Sequence, residues 1–193
     1  MTTETKADFG ITPSQTIGPF FAYALTPRAY GGPELATEQV AGDGVEGERI
    51  RIEGHVYDGD GAVVSDAMIE VWQADAQGRF NTSGNAGFSG FGRAETTVEG
   101  SFHFETIRPG AIAGPGGTTQ APHLSVSIFA RGLLVQLATR IYFEGEPSNA
   151  DDPVLALVPA DRRDTLIAKR DANGVFRFDI RLQGEGETVF FAA

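Results

Sequence analysis

From Arg49 onward the chain alternates apolar and polar residues in short runs, each closed by a turn sequence. This pattern constrains the fold more than any other feature. In "RIRIEGHVY" (49–57), Ile50, Ile52, Gly54 and Val56 fall on one side and polar residues on the other. That period of two belongs to a strand with one buried face. "SFHFET" (101–106) and "HLSVSIF" (123–129) repeat it, and "LLVQLATRIYF" (133–143) and "VVSDAMIEVWQ" (63–73), the latter stopped by Gly78, read as further strands. "DGDG" at 58–61 turns the chain. Asn173 and Gly174 form the strongest hairpin signal and lead into "VFRFDIRL" (175–182). About eight short strands with turns between them predict an all-β, single-domain β-sandwich. One helix is expected, at 161–170 ("DRRDTLIAKR"), with acids early and Lys169 and Arg170 at its close, as the helix dipole favours. No repeat or break in composition suggests a second domain.

Residues 1–48 lack this pattern, yet they carry Phe20, Phe21, Tyr23 and Tyr30. Aromatics without a core period predict an extended arm (1–48) that packs on a partner chain, with the sandwich spanning 49–193. The opening "MTTETKADFG" has no basic start or apolar run, and a cytoplasmic protein is expected. The chain has no cysteine, which removes disulfides, thiol catalysis and cysteine-ligated metals. A formal net charge of −11 argues against nucleic acid or membrane partners. A small anionic ligand would need a cation right beside it, since charges are screened beyond about 8 Å at physiological salt.

The residues taken singly do not define an activity. "GPGG" at 114–117 has no Lys-Ser/Thr after it, so a phosphate loop is not expected. Ser14, Ser65 and Ser89 sit in no nucleophile motif, and most carboxylates flank turns. His55, His103 and His123 lie on separate strands, where each alone suits a structural role. Trp72 reads equally well as a core aromatic. His123 invites a closer look, because a ligand pair on a strand would place its second histidine two residues on, where Ser125 stands.

"IEGHVYDGDGAVVSDAMIEVWQADAQGRF" (52–80) closely resembles the signature of the intradiol ring-cleavage dioxygenases. The likeness rests on Gly54, Val56, Gly61, Val64, Ile69, Glu70, Val71, Gly78 and a final aromatic residue. "TPSQTIGPFF" (12–21), "TRIYFEGE" (139–146), "DTLIAKR" (164–170) and "GEGETVFF" (184–191) are similar to segments of the same family, so the likeness runs from Thr12 to Phe191. It implies a β-sandwich of the intradiol dioxygenase type with an N-terminal arm and one short helix. Catalytic members hold Fe(III) through two tyrosines and two histidines. By motif those positions are Phe80, Ile112 (after "RPGA"), His123 and Ser125 here, and an arginine customary before the first histidine falls at Gln120. A hard Fe(III) ion wants anionic oxygen, which neither Phe80 nor Ile112 can supply.

The resemblance therefore implies a vestigial iron site, with no catalytic residue and no metal on this chain. Fe(III) would sit in a homologous β-type subunit, with protocatechuate (3,4-dihydroxybenzoate) bound at the interface and the pairs assembled further. Thr16, Gly18, Pro19 and Arg131 would form part of the substrate wall of that partner's site. Two alternatives stand beside this reading: a β-sandwich binding or carrier module without enzymatic role, and a self-sufficient catechol-type dioxygenase.

Overall fold

Eleven strands follow one another in a computed structural model that describes residues 13–16, 18, 21–81 and 87–192. They are β1 (Arg49–Tyr57), β2 (Met68–Trp72), β3 (Phe91–Glu95), β4 (Ser101–Ile107), β5 (Ile112–Ala113) and β6 (Thr119–Gln120). After these come β7 (His123–Phe129), β8 (Leu137–Phe143), β9 (Ile167–Arg170), β10 (Phe176–Arg177) and β11 (Ile180–Arg181). The excess over the expected number comes from two-residue strands.

The alternation in β1 buries Ile50, Ile52 and Val56, as its sequence predicts. β1 runs antiparallel to β4, from Arg49 opposite Ile107 to His55 opposite Ser101. Along its other edge β10 and β11 return parallel, pairing Ile52 with Phe176 and Val56 with Ile180. The single strand expected at 175–182 is thus two, with the ladder interrupted between them. At the break Phe178 donates its N–H to the Glu53 carbonyl (2.9 Å), and Asp179 Oδ1 accepts the His55 N–H (2.9 Å). Gly54 makes this approach possible, because a Cβ there would lie 1.7 Å from the Phe178 carbonyl oxygen.

The second layer runs in the order β3, β2, β7, β8, all antiparallel. Its Ile69, Val71, Leu124, Val126, Ile128, Ile141 and Phe143 share one apolar core with Ile50, Ile52, Phe102 and Phe104 of the first layer. β9 joins the layers. Ile167 and Ala168 pair parallel with Tyr142 and Phe143 of β8, then Lys169 and Arg170 pair antiparallel with β10. The turn at Asn173 and Gly174 closes that hairpin, as expected, with the Gly174 N–H on the Asp171 carbonyl (3.0 Å).

The helix expected at 161–170 does not form. A 3-10 turn over Arg163–Leu166 leads straight into β9. Leu166 and Ala168 are buried at a spacing of two, and the first half of β9 pairs with β8 and the second half with β10. That outweighs a charge–dipole preference of roughly 1 kcal/mol or less. The one α-helix among the described residues is Phe21–Leu25, in the N-terminal segment. The strand read at 63–73 forms only at β2, with Val63 making a lone bridge to Tyr57.

Within the N-terminal segment Val40 and Ala41 are buried in the sandwich core, and the Val40 N–H bonds the Glu105 carbonyl (2.9 Å). Nearer the start, Arg93 Nη1 donates to the Leu25 carbonyl (3.0 Å). Among the described residues no helix is long and apolar enough to cross a membrane.

Candidate functional site

β7 separates two polar locales, with His123 at its start and Arg131 just past its end. The two residues are eight positions apart, roughly 26 Å along an extended chain at ~3.3 Å per residue.

At the first locale the register sets His123 opposite Tyr142, ring centroids 5.5 Å apart, and Ser125 opposite Arg140. His123 is buried, and its Nδ1 lies 2.7 Å from the Ala121 carbonyl oxygen. Burial holds its imidazole below the usual histidine range. The Tyr142 hydroxyl donates to Asp152 Oδ1 (3.0 Å) and accepts from Arg140 Nη1 (3.2 Å). Burial raises its pKa well above that of a free phenol, so it remains an O–H donor. Arg140 Nη1 also reaches Gln120 Oε1 (2.7 Å). Asp152 is fully buried and accepts three backbone N–H groups besides, from Ala121 (2.8 Å), Val154 (2.9 Å) and Leu155 (2.7 Å).

The other positions that the resemblance singles out adjoin this network. Trp72 lies opposite Ser125 in the ladder, and the Phe80 ring stacks on Trp72 at 5.9 Å and 3°. Ile112 pairs with Gln120 across β5 and β6. Phenyl and alkyl side chains offer no donor atom and Ser125 brings a neutral hydroxyl, which leaves the Nε2 of His123 as the one ligand nitrogen, its Nδ1 being bonded to the Ala121 carbonyl. The guanidinium of Arg140 adds a positive charge. Among the described residues no group of three His, Cys, Asp or Glu could hold a metal ion. These side chains do not fit Fe(III).

At the second locale the chain turns through Arg131 and Gly132, the latter at φ 89°, where glycine is favoured. The Gly132 N–H donates to Thr16 Oγ1 (2.9 Å), docking the arm on the turn. Gly18 follows, its N–H 3.5 Å from the same oxygen. Arg131 Nε pairs with Asp66 Oδ2, while the arginine side chain stays 60% exposed. A cavity of about 180 Å³ opens here, with Phe21, Thr26, Tyr30, Asp66, Thr96 and Arg131 among its walls. Thr16, Gly18 and Arg131 are thereby brought together, and Pro19 lies outside the described residues.

The sequence reading passed over Asp66, Arg140 and Asp152. Asp66 carries no motif. Asp152 precedes a proline in "DDP", the kind of position where a carboxylate caps the following turn, and that was the available signal.

A family model described as "Dioxygenase" matches residues 18–184. The chain belongs to the intradiol ring-cleavage dioxygenase family. It is 49% identical over 193 residues to the protocatechuate 3,4-dioxygenase alpha chain of Burkholderia cepacia, covering 93% of this chain and 96% of that one. The alpha chain of Pseudomonas putida is 46% identical, at 93% and 95% coverage. The B. cepacia beta chain is more distant, at 35% identity over 74% of this chain and 67% of its own length. Among solved structures, the dioxygenase domain of a carbohydrate-binding fusion from Streptomyces sp. SirexAA-E aligns with a TM-score of 0.62 and 26% identity, over 91% of this chain and 99% of that one.

Proposed function

We propose that this chain is the iron-free subunit of a protocatechuate 3,4-dioxygenase, completing a substrate site whose iron is held by a homologous β-type chain. The observation that carries this reading is the His123 locale. Phe80, Ile112 and Ser125 replace three of the four iron ligands of catalytic members, and Arg140, Tyr142 and Asp152 form a closed hydrogen-bond network beside them. Likeness to alpha chains along nearly the whole length supports the same reading.

In the reaction, the ring bond between the two hydroxyl-bearing carbons breaks and both atoms of O2 enter the product, 3-carboxy-cis,cis-muconate. The partner's Fe(III) would bind the catechol oxygens. This chain's part is to bind and orient. The start of the N-terminal arm packs on the partner, while Val40 and Ala41 belong to this chain's own core, and Thr16 and Gly18 line one wall. Arg131 faces the substrate carboxylate, directly or through one intermediary. The acidic surface leaves a local cation to do this, and a guanidinium fork suits a carboxylate. The pairs assemble further, and the complex works in the cytoplasm in the breakdown of aromatic compounds.

Purification of the tagged chain with and without a co-expressed β-type chain tests the proposal. Expected are an iron-containing complex that consumes protocatechuate, and a colourless, iron-free chain when purified alone. A lone chain with stoichiometric iron and a broad visible band would overturn it, as would a stable monomer that takes up no partner.

A further inference from the structure

We infer that Asp66 is the positioning residue that aims Arg131, and that the preference of the complex for a carboxylated catechol depends on it; this rests on the role proposed for Arg131 above. Arg131 projects from a surface turn, where a long side chain left alone would sample many rotamers. Two contacts remove that freedom. Thr16 Oγ1 fixes the neighbouring Gly132 amide at 2.9 Å, and Asp66 takes the Arg131 Nε–H. Arm, β1–β2 connection and β7–β8 turn converge at this point.

Asp66 stands on a rigid base. The next residue, Ala67, is buried, and its N–H and carbonyl both bond Thr96, at 2.9 Å to Oγ1 and 2.9 Å to the backbone N–H. The carboxylate therefore sits at a fixed place beside the turn. It grips the guanidinium through Nε, and among the described residues neither Nη nitrogen of Arg131 has a hydrogen-bond partner. The edge formed by the two Nη groups is left as an open fork, the shape that receives a planar carboxylate through two parallel bonds. An exposed ion pair of this kind adds little to fold stability. Its effect is on direction: without Asp66 the charge of Arg131 persists but its aim does not.

Steady-state kinetics on the intact complex, with protocatechuate and with catechol, tests this. For Asp66→Ala, KM for protocatechuate should rise about 3- to 10-fold while kcat, iron content and complex size hold, and KM for catechol should move far less. The double variant with Arg131→Ala should be no worse than Arg131→Ala alone, since both act through one group. Asp66→Asn, which keeps an oxygen to accept the Nε–H, should recover part of the loss. Equal changes for the two substrates, or effects of Asp66→Ala and Arg131→Ala that multiply, would overturn the inference and leave Asp66 a structural residue. An Arg131→Ala variant with unchanged KM for protocatechuate would instead overturn the role proposed for Arg131, and the inference with it.

Discussion

The two ends of β7 treat their polar residues in opposite ways. At the His123 end the hydrogen bonds turn inward: Tyr142 to Asp152, Arg140 to Gln120, and three backbone amides onto one carboxylate. At the Arg131 end a guanidinium is held by one edge and left open at the other. A closed buried network contributes to the fold, because each of its groups is costly to leave unpaired away from water. An exposed pair contributes little to the fold and stays free for a ligand or partner. The two ends of one strand can therefore differ in purpose, according to whether their polar groups face each other or the outside.

The strongest attempt to break this contrast removes the hub of the closed end. Asp152→Ala strands the Tyr142 hydroxyl and the amides of Ala121, Val154 and Leu155, and should cost about 3–5 kcal/mol in urea unfolding of the chain. A loss below about 1 kcal/mol would show that the network is not what holds this end together. At the open end the effects should trade places. Arg131→Ala should leave stability within about 0.5 kcal/mol. It should raise KM for protocatechuate by about 5- to 150-fold, ~1–3 kcal/mol, and raise it more than for catechol. A large fall in the unfolding midpoint with unaltered kinetics would reverse the assignment of the two ends.

The smallest effect concerns pH. Burial depresses the pKa of His123 in the folded chain, so the native state declines a proton that the unfolded chain accepts below about pH 6.5. The stability tied to this residue is present above that pH. It is lost as the pH falls from there through the depressed folded value, at no more than ~1.4 kcal/mol per pH unit. His123→Gln should flatten the decline below about pH 6.5, read from unfolding midpoints in a pH series. Parallel curves for the two proteins would show that the imidazole is solvated in the fold.

Much of the sandwich was legible because parity carries over directly to burial. Ile50, Ile52 and Val56, and likewise Leu124, Val126 and Ile128, point where their alternation says. The hairpin at Asn173 and Gly174 was legible for a local reason, the turn chemistry of the pair itself. What failed depended on partners far away in sequence. Residues 161–170 look helical from their charges, but β8 supplies a strand partner to Ile167 and Ala168 and β10 one to Lys169 and Arg170. The division of 175–182 into β10 and β11 follows from its contacts with Gly54, about which the segment says nothing by itself. At the candidate site, Thr16, Gly18 and Arg131 were reached through family likeness. Asp66 was not, since an acid in a connection looks like solvated surface until Arg131 is seen beside it.

The place of β1 has a consequence for how the chain is made. Its antiparallel partner β4 leaves the ribosome about fifty residues later, so that half of the pairing can form during synthesis. Its parallel partners arrive much later: the bond from the His55 amide to Asp179 spans 124 residues. Until then one edge of β1 is an unpaired strand exposed to other nascent chains, and closure over so long a span is slow. Thr16 waits in the same way for Gly132, 116 residues on. The arm cannot lock onto its turn until β7 has been translated, so this corner of the fold is completed only after the first 132 residues have been made.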